Sequence, residues 1–133
     1  MTDEGSDANK DLSVWRADVS KDPGFYSLGD VGLNSYTGFD PPVYLISSTN
    51  ADDLAIPTDL ERIWKDTGSD ADNDFSFWKP IAPAGYTCLG SLGKKGYEKP
   101  HLGKMRCVKS SLVRLGTWEL LWKDKGSGAN KNV

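Results

Sequence analysis

One histidine and two cysteines in 133 residues leave little material for the commonest metal and nucleophile chemistries. No CxxC pair and no Cys/His cluster occurs, so a zinc site of the usual ligand spacing is excluded. Cys88 and Cys107 are too few for a disulfide framework, and they are expected as two small buried residues, with mutual pairing as the other option. His101 follows a proline in YEKPH, and no serine or cysteine has an evident base partner in its own stretch. No enzyme is expected. An excess of either charge is also missing: the formal charge is −3, with acids and bases interspersed. Such a chain has no long-range basic field for a phosphate backbone, which excludes nucleic acid as a partner. No apolar run approaches the roughly 18–20 residues of a transmembrane helix, and the opening MTDEGSDANKDL is unlike a signal peptide. The expected location is cytoplasmic or peripheral to membranes, with secretion lacking a classical signal left open.

What the sequence does contain is repetition. DEGSDANKDLSVW (3–15) aligns without a gap with DTGSDADNDFSFW (66–78). GFYSLGDVGLNSY (24–36) aligns with GYTCLGSLGKKGY (85–97), and LAIPTDLERIWKD (54–66) with LVRLGTWELLWKD (112–124). A third, truncated DKGSGANKNV fills 124–133. We read one β domain over 1–133, with repeat one at about 3–65, repeat two at about 66–123 and the start of a third motif at 124–133.

Within each repeat, SFW, VYLI, YTCLG, MRCV and WELLW are short and rich in aromatic and β-branched residues, and Gly, Pro, Asp and Asn punctuate them. The fold expected is all-β, a β-prism-like or closed antiparallel sheet in which two pseudo-equivalent units share one core. Tryptophans at matching positions, Trp15 with Trp78 and Trp64 with Trp122, are expected to form that core. A terminal motif without its Ser-x-Trp suggests pairing of the tail with the N-terminal motif, within one chain or in a homo-oligomer.

The stretch FSFWKPIAPAGYTCLGSLGKKGYEKPHLGKMRCVKSSLV, preceded by IWKDTGSDAD, resembles the repeat of the vacuolar protein sorting 62-related family, which is shared with parts of vacuolar protein sorting 13 proteins. The first copy matches more loosely: Pro80 is replaced by Ala17, and RCV by VYL. A more distant similarity is to β-prism domains associated with multivesicular body subunits and with the tails of some pore-forming toxins. These resemblances imply a β-rich module that binds membranes or glycans and has no enzymatic activity.

Candidate ligand-binding residues fall in the two GSDA loops: Asp66, Ser69, Asp70, Asp72 and Asp74 in the second copy, and Asp3, Ser6, Asp7, Asn9 and Asp11 in the first. Loops vary chemically while repeated strands must keep their packing. Alternating Asp70, Asp72 and Asp74 suggest calcium, since hard cations take several oxygens from such loops. They fail the EF-hand pattern, because its glycine and its final glutamate would fall on Phe75 and Ile81. Asx turns use the same residue types, so a strand-connecting turn is the preferred reading and no cofactor is required. Trp118 and Tyr44 break the aromatic repeat, aligning with Leu60 and Cys107, and are candidates for contact with sugar or lipid. Two partner classes follow. One is membrane lipid, met by an apolar patch or by Lys94, Lys95, Lys99 and Lys104; the other is a glycan held by the loops as in a lectin.

Overall fold

The computed structural model describes residues 2, 12–36, 41–67, 73–120 and 123. Ten short strands and three single-turn 3₁₀ segments make up its regular structure, and no α-helix occurs among the described residues. The protein is all-β. The strands are β1 (Ser13–Trp15), β2 (Tyr26–Ser27), β3 (Val31–Leu33), β4 (Leu45–Ile46), β5 (Leu54–Ala55), β6 (Asp59–Lys65), β7 (Phe75–Ile81), β8 (Tyr86–Thr87), β9 (Leu92–Lys95) and β10 (Cys107–Lys109). They form four small antiparallel sheets, β1-β3, β2-β4, β5-β10-β8 and β6-β7-β9. A single parallel bridge joins Ser27 to Met105.

Matching sequence produces matching local geometry. In β1 the Trp15 indole N–H donates to Ser13 Oγ at 2.8 Å, and Ser13 Oγ donates to the Ser35 carbonyl at 2.6 Å. In β7 the Trp78 indole donates to Ser76 Oγ at 2.9 Å, and Ser76 Oγ donates to the Gly96 carbonyl at 2.7 Å. Both serines are fully buried. Each hydroxyl therefore accepts from an indole and donates to a carbonyl, which satisfies three buried polar groups with one side chain. Gly24 and Gly85, aligned in sequence, share a φ of 84°, the left-handed conformation that favours glycine.

The sequence copies are interlocked in space. β5 and β6 lie in the first copy, yet β5 pairs with β10 and β6 with β7, both in the second. Between Arg62 and Trp64 the register slips by one residue, so Ile63 is left without a partner opposite it and is exposed. The contiguous core consists of Leu60, Trp78, Leu92 and Met105, flanked by Cys88 and Leu102. Gly29 and Gly90 cross at van der Waals contact: a Cβ on Gly29 would lie 2.8 Å from the Gly90 Cα, and one on Gly90 would lie 2.6 Å from the Leu28 carbonyl oxygen.

Three expectations change. Cys88 and Cys107 form a disulfide instead of remaining two free buried thiols, because the packing of β8 against β10 brings their Cα atoms within 4.1 Å. Of the matching tryptophans, Trp78 is buried while Trp15 and Trp64 are half-buried; Trp122 lies outside the described residues. Trp118, Glu119 and Leu120, read as part of a strand, are not in one. β6, aligned with this segment, secures its register by burying Leu60, whereas the corresponding Trp118 is 90% exposed.

Candidate functional site

In sequence the second GSDA segment falls between β6 and β7, and its flanks at 66–67 and 73–74 are described. At its base the Asp66 amide donates to the Phe75 carbonyl, and the Phe75 amide donates to Asp66 Oδ2 at 3.0 Å. Tyr97, in the turn after β9, donates its hydroxyl to Asp66 Oδ1 at 2.8 Å and to Asp74 Oδ1 at 3.0 Å. The Gly96 amide closes the clasp on the Asp74 carbonyl at 2.7 Å. Asp66 is buried, and both its oxygens accept hydrogen bonds from within the protein. The Tyr97 phenol titrates above its ordinary value. A hydrogen bond with Thr67 pulls it down, and desolvation with donation to Asp66 and Asp74 outweighs that pull.

Ser69, Asp70 and Asp72 lie outside the described residues, so of the calcium triad only Asp74 is placed. Asp3, Ser6, Asp7, Asn9 and Asp11 lie outside them as well. The first loop is bracketed by an antiparallel bridge between Thr2 and Ser13, at the position where Lys65 pairs with Ser76 around the second.

The lysines do not form one patch. Lys94 and Lys95 face Ser76 and Phe75 at the loop end of the hairpin. Lys99 donates to Asp59 at 2.6 Å at the hairpin's opposite end, roughly 20 Å away along a seven-residue strand. That bond, with one from the Leu60 amide, lowers the Asp59 carboxyl below its ordinary range. Lys104 stands apart, on the rim of a cavity beside β1.

Apolar exposure is concentrated elsewhere. Leu112, Leu115, Trp118 and Leu120 follow one another along the segment after β10, with Leu115 100% and Trp118 90% exposed. Tyr44, before β4, is also largely exposed. The sequence positions that break the repeat thus carry aromatic rings into solvent where their counterparts, Leu60 and Cys107, are buried.

An all-β scaffold that displays aromatic side chains to solvent belongs to the class of β-rich binding modules. The chain is a member of the vacuolar protein sorting-associated protein 62 family, whose model matches residues 2–133. It is also similar to GNIP1Aa from Chromobacterium piscinae, whose crystal structure superposes with a TM-score of 0.80 at 30% sequence identity over 99% of this chain. The chain spans 26% of the length of that protein. No curated protein matches the sequence.

Proposed function

We propose that the chain is a non-enzymatic module that attaches to membrane lipid through the apolar segment at 112–120. The observation that carries this reading is Trp118, 90% exposed where the aligned Leu60 is 3% exposed. Leaving Leu112, Leu115, Trp118 and Leu120 in water is unfavourable, and a bilayer interface accommodates the indole's apolar body and polar N–H together. Burying a leucine-sized side chain contributes about 1.5–3 kcal/mol, so three or four of them suffice for reversible attachment. The GSDA loops supply polar contacts in the same reading. The Cys88–Cys107 bond favours an oxidising compartment over the reducing cytosol. Flotation with phosphatidylcholine vesicles tests the proposal. The protein should rise with the vesicles, and Trp118→Ala should reduce the bound fraction about tenfold. Equal flotation of both proteins, or of neither, contradicts it.

A glycan is the second reading, favoured by Tyr44, whose ring is 83% exposed and available for stacking on a sugar. Binding on a glycan array that Tyr44→Ala abolishes and Trp118→Ala leaves intact would select it.

A further inference from the structure

Beside the end of β1 lies an open cavity of about 490 Å³, within the range of small-molecule sites. Buried Leu92 and Met105 form part of its floor, and Arg16, Asp18, His101 and Lys104 stand around it. It joins residues from the two sequence copies.

The donors around this cavity are unequally committed. Arg16 is held from behind: its Nε and Nη2 donate to the two oxygens of Asp30 at 2.9 and 2.7 Å, and Nη2 also donates to the Gly93 carbonyl at 2.6 Å. Asp30, its side chain 4% exposed, accepts a further bond from the Gly93 amide at 2.7 Å. The guanidinium is therefore fixed in position, while its Nη1 makes no hydrogen bond among the described residues. Lys104 Nζ and the His101 ring are likewise without a hydrogen-bond partner among the described residues. The carboxylate on the rim, Asp18, accepts from the Ser20 amide at 2.9 Å and attracts Lys104, so a phosphate there competes with it for the ammonium. A fixed guanidinium beside an ammonium, over an apolar floor, matches an anionic group attached to a ring.

We infer that this cavity binds a phosphorylated sugar or polyol, with the phosphate on Arg16 and Lys104, His101 completing its hydrogen bonds, and the ring lying over Leu92 and Met105. A phosphate monoester on a polyol ring is the chemistry shared by a free sugar phosphate and a phosphorylated lipid headgroup. The site is independent of the apolar segment at 112–120.

Titration of the isotopically labelled protein with glucose 6-phosphate, glucose and inorganic phosphate tests the assignment. Glucose 6-phosphate should produce saturable shifts in the His101 ring and the amides of Gly103–Met105, and glucose should produce none. Lys104→Ala, a change at an exposed side chain, should weaken binding about tenfold, and Trp118→Ala should leave it unchanged. Vesicles carrying phosphatidylinositol 4-phosphate separate the two sources. Lys104-dependent binding to the vesicles without binding of glucose 6-phosphate identifies a lipid headgroup, and the reverse identifies a free ligand. Absence of both at millimolar ligand, affinity unchanged by Lys104→Ala, or inorganic phosphate binding as tightly as glucose 6-phosphate would each overturn the inference.

Discussion

Asp66 shows how a single side chain can be recognised in a sequence while its partners stay hidden. The repeated motif marks it, and its residue type suits a ligand loop as well as a turn. Its hydrogen-bond partner Tyr97 lies 31 residues away, and only folding brings the two together. Asp66→Ala leaves the Phe75 amide without its side-chain acceptor and the Tyr97 hydroxyl with Asp74 alone, and should cost about 1–3 kcal/mol in a urea titration. Asp66→Asn keeps an acceptor oxygen and should cost less. By contrast, Asp72→Asn should be nearly silent, with a melting temperature indifferent to calcium, because asparagine serves an Asx turn as well as aspartate does. A calcium-dependent rise in melting temperature that Asp72→Asn removes would restore the cation reading. Tyr97 adds a pH dependence. Its folded pKa is raised, so the stability it contributes is fully present below the unfolded phenol value and is lost as pH rises through the folded value. Tyr97→Phe should therefore flatten the alkaline limb of the stability profile. An unchanged limb would remove Tyr97 from the loop's energetics.

The elements themselves divide according to what determines them. SFW, VYLI and MRCV were legible as strands because alternating or β-branched residues fit a half-buried pleat; β7 contains all of SFW, while β4 takes in only Leu45 and Ile46 of VYLI and β10 only Cys107 and Val108 of MRCV. WELLW has the same composition, yet Trp118, Glu119 and Leu120 are outside any strand. The difference lies in tertiary burial: Leu60 in β6 inserts into the core beside Trp78, and nothing comparable holds Trp118. Pairing of β6 with the following copy was also beyond the sequence, since a repeat boundary drawn from alignment falls within the β6–β7 hairpin. The crossing of Gly29 and Gly90 is a second case. Nothing in YTCLG or SLGD marks these glycines as a contact, whereas in space the two backbones approach too closely for a Cβ on either one. Gly90→Ala would drive a methyl group into the Leu28 carbonyl and should destabilise by about 1–3 kcal/mol, measured by thermal or urea unfolding. Gly24→Ala meets no atom within 4 Å, so any loss there reports only its positive φ. The disulfide ties β10 to the chain beside β8 across a sequence separation of 19. Its replacement by paired serines should lower stability by about 2–4 kcal/mol.

At the scale of the whole molecule, composition and repetition pointed to the fold class, while the resemblance to the family rested on the motifs of the second copy. They could not identify a ligand, which depends on side chains that depart from the pattern. Trp118 and Tyr44 are such departures, and both are exposed. The Arg16–Asp30 pair, also absent from sequence-level reasoning, connects β1 to Gly93 in β9 and so fastens the first copy to the second. A salt bridge between residues 14 apart leaves no periodic signal. Asp30→Ala strands a half-exposed guanidinium and the Gly93 amide, and should cost about 1.5–3 kcal/mol. The account's central claim, attachment to a bilayer through Trp118, is tested most directly by quenching tryptophan fluorescence with brominated phosphatidylcholine vesicles. The account predicts quenching in the wild-type protein that falls in Trp118→Leu, since Trp118 is 90% exposed while Trp78 is buried and Trp15 and Trp64 are half-buried. Equal quenching in the two proteins, or none in either, would contradict it.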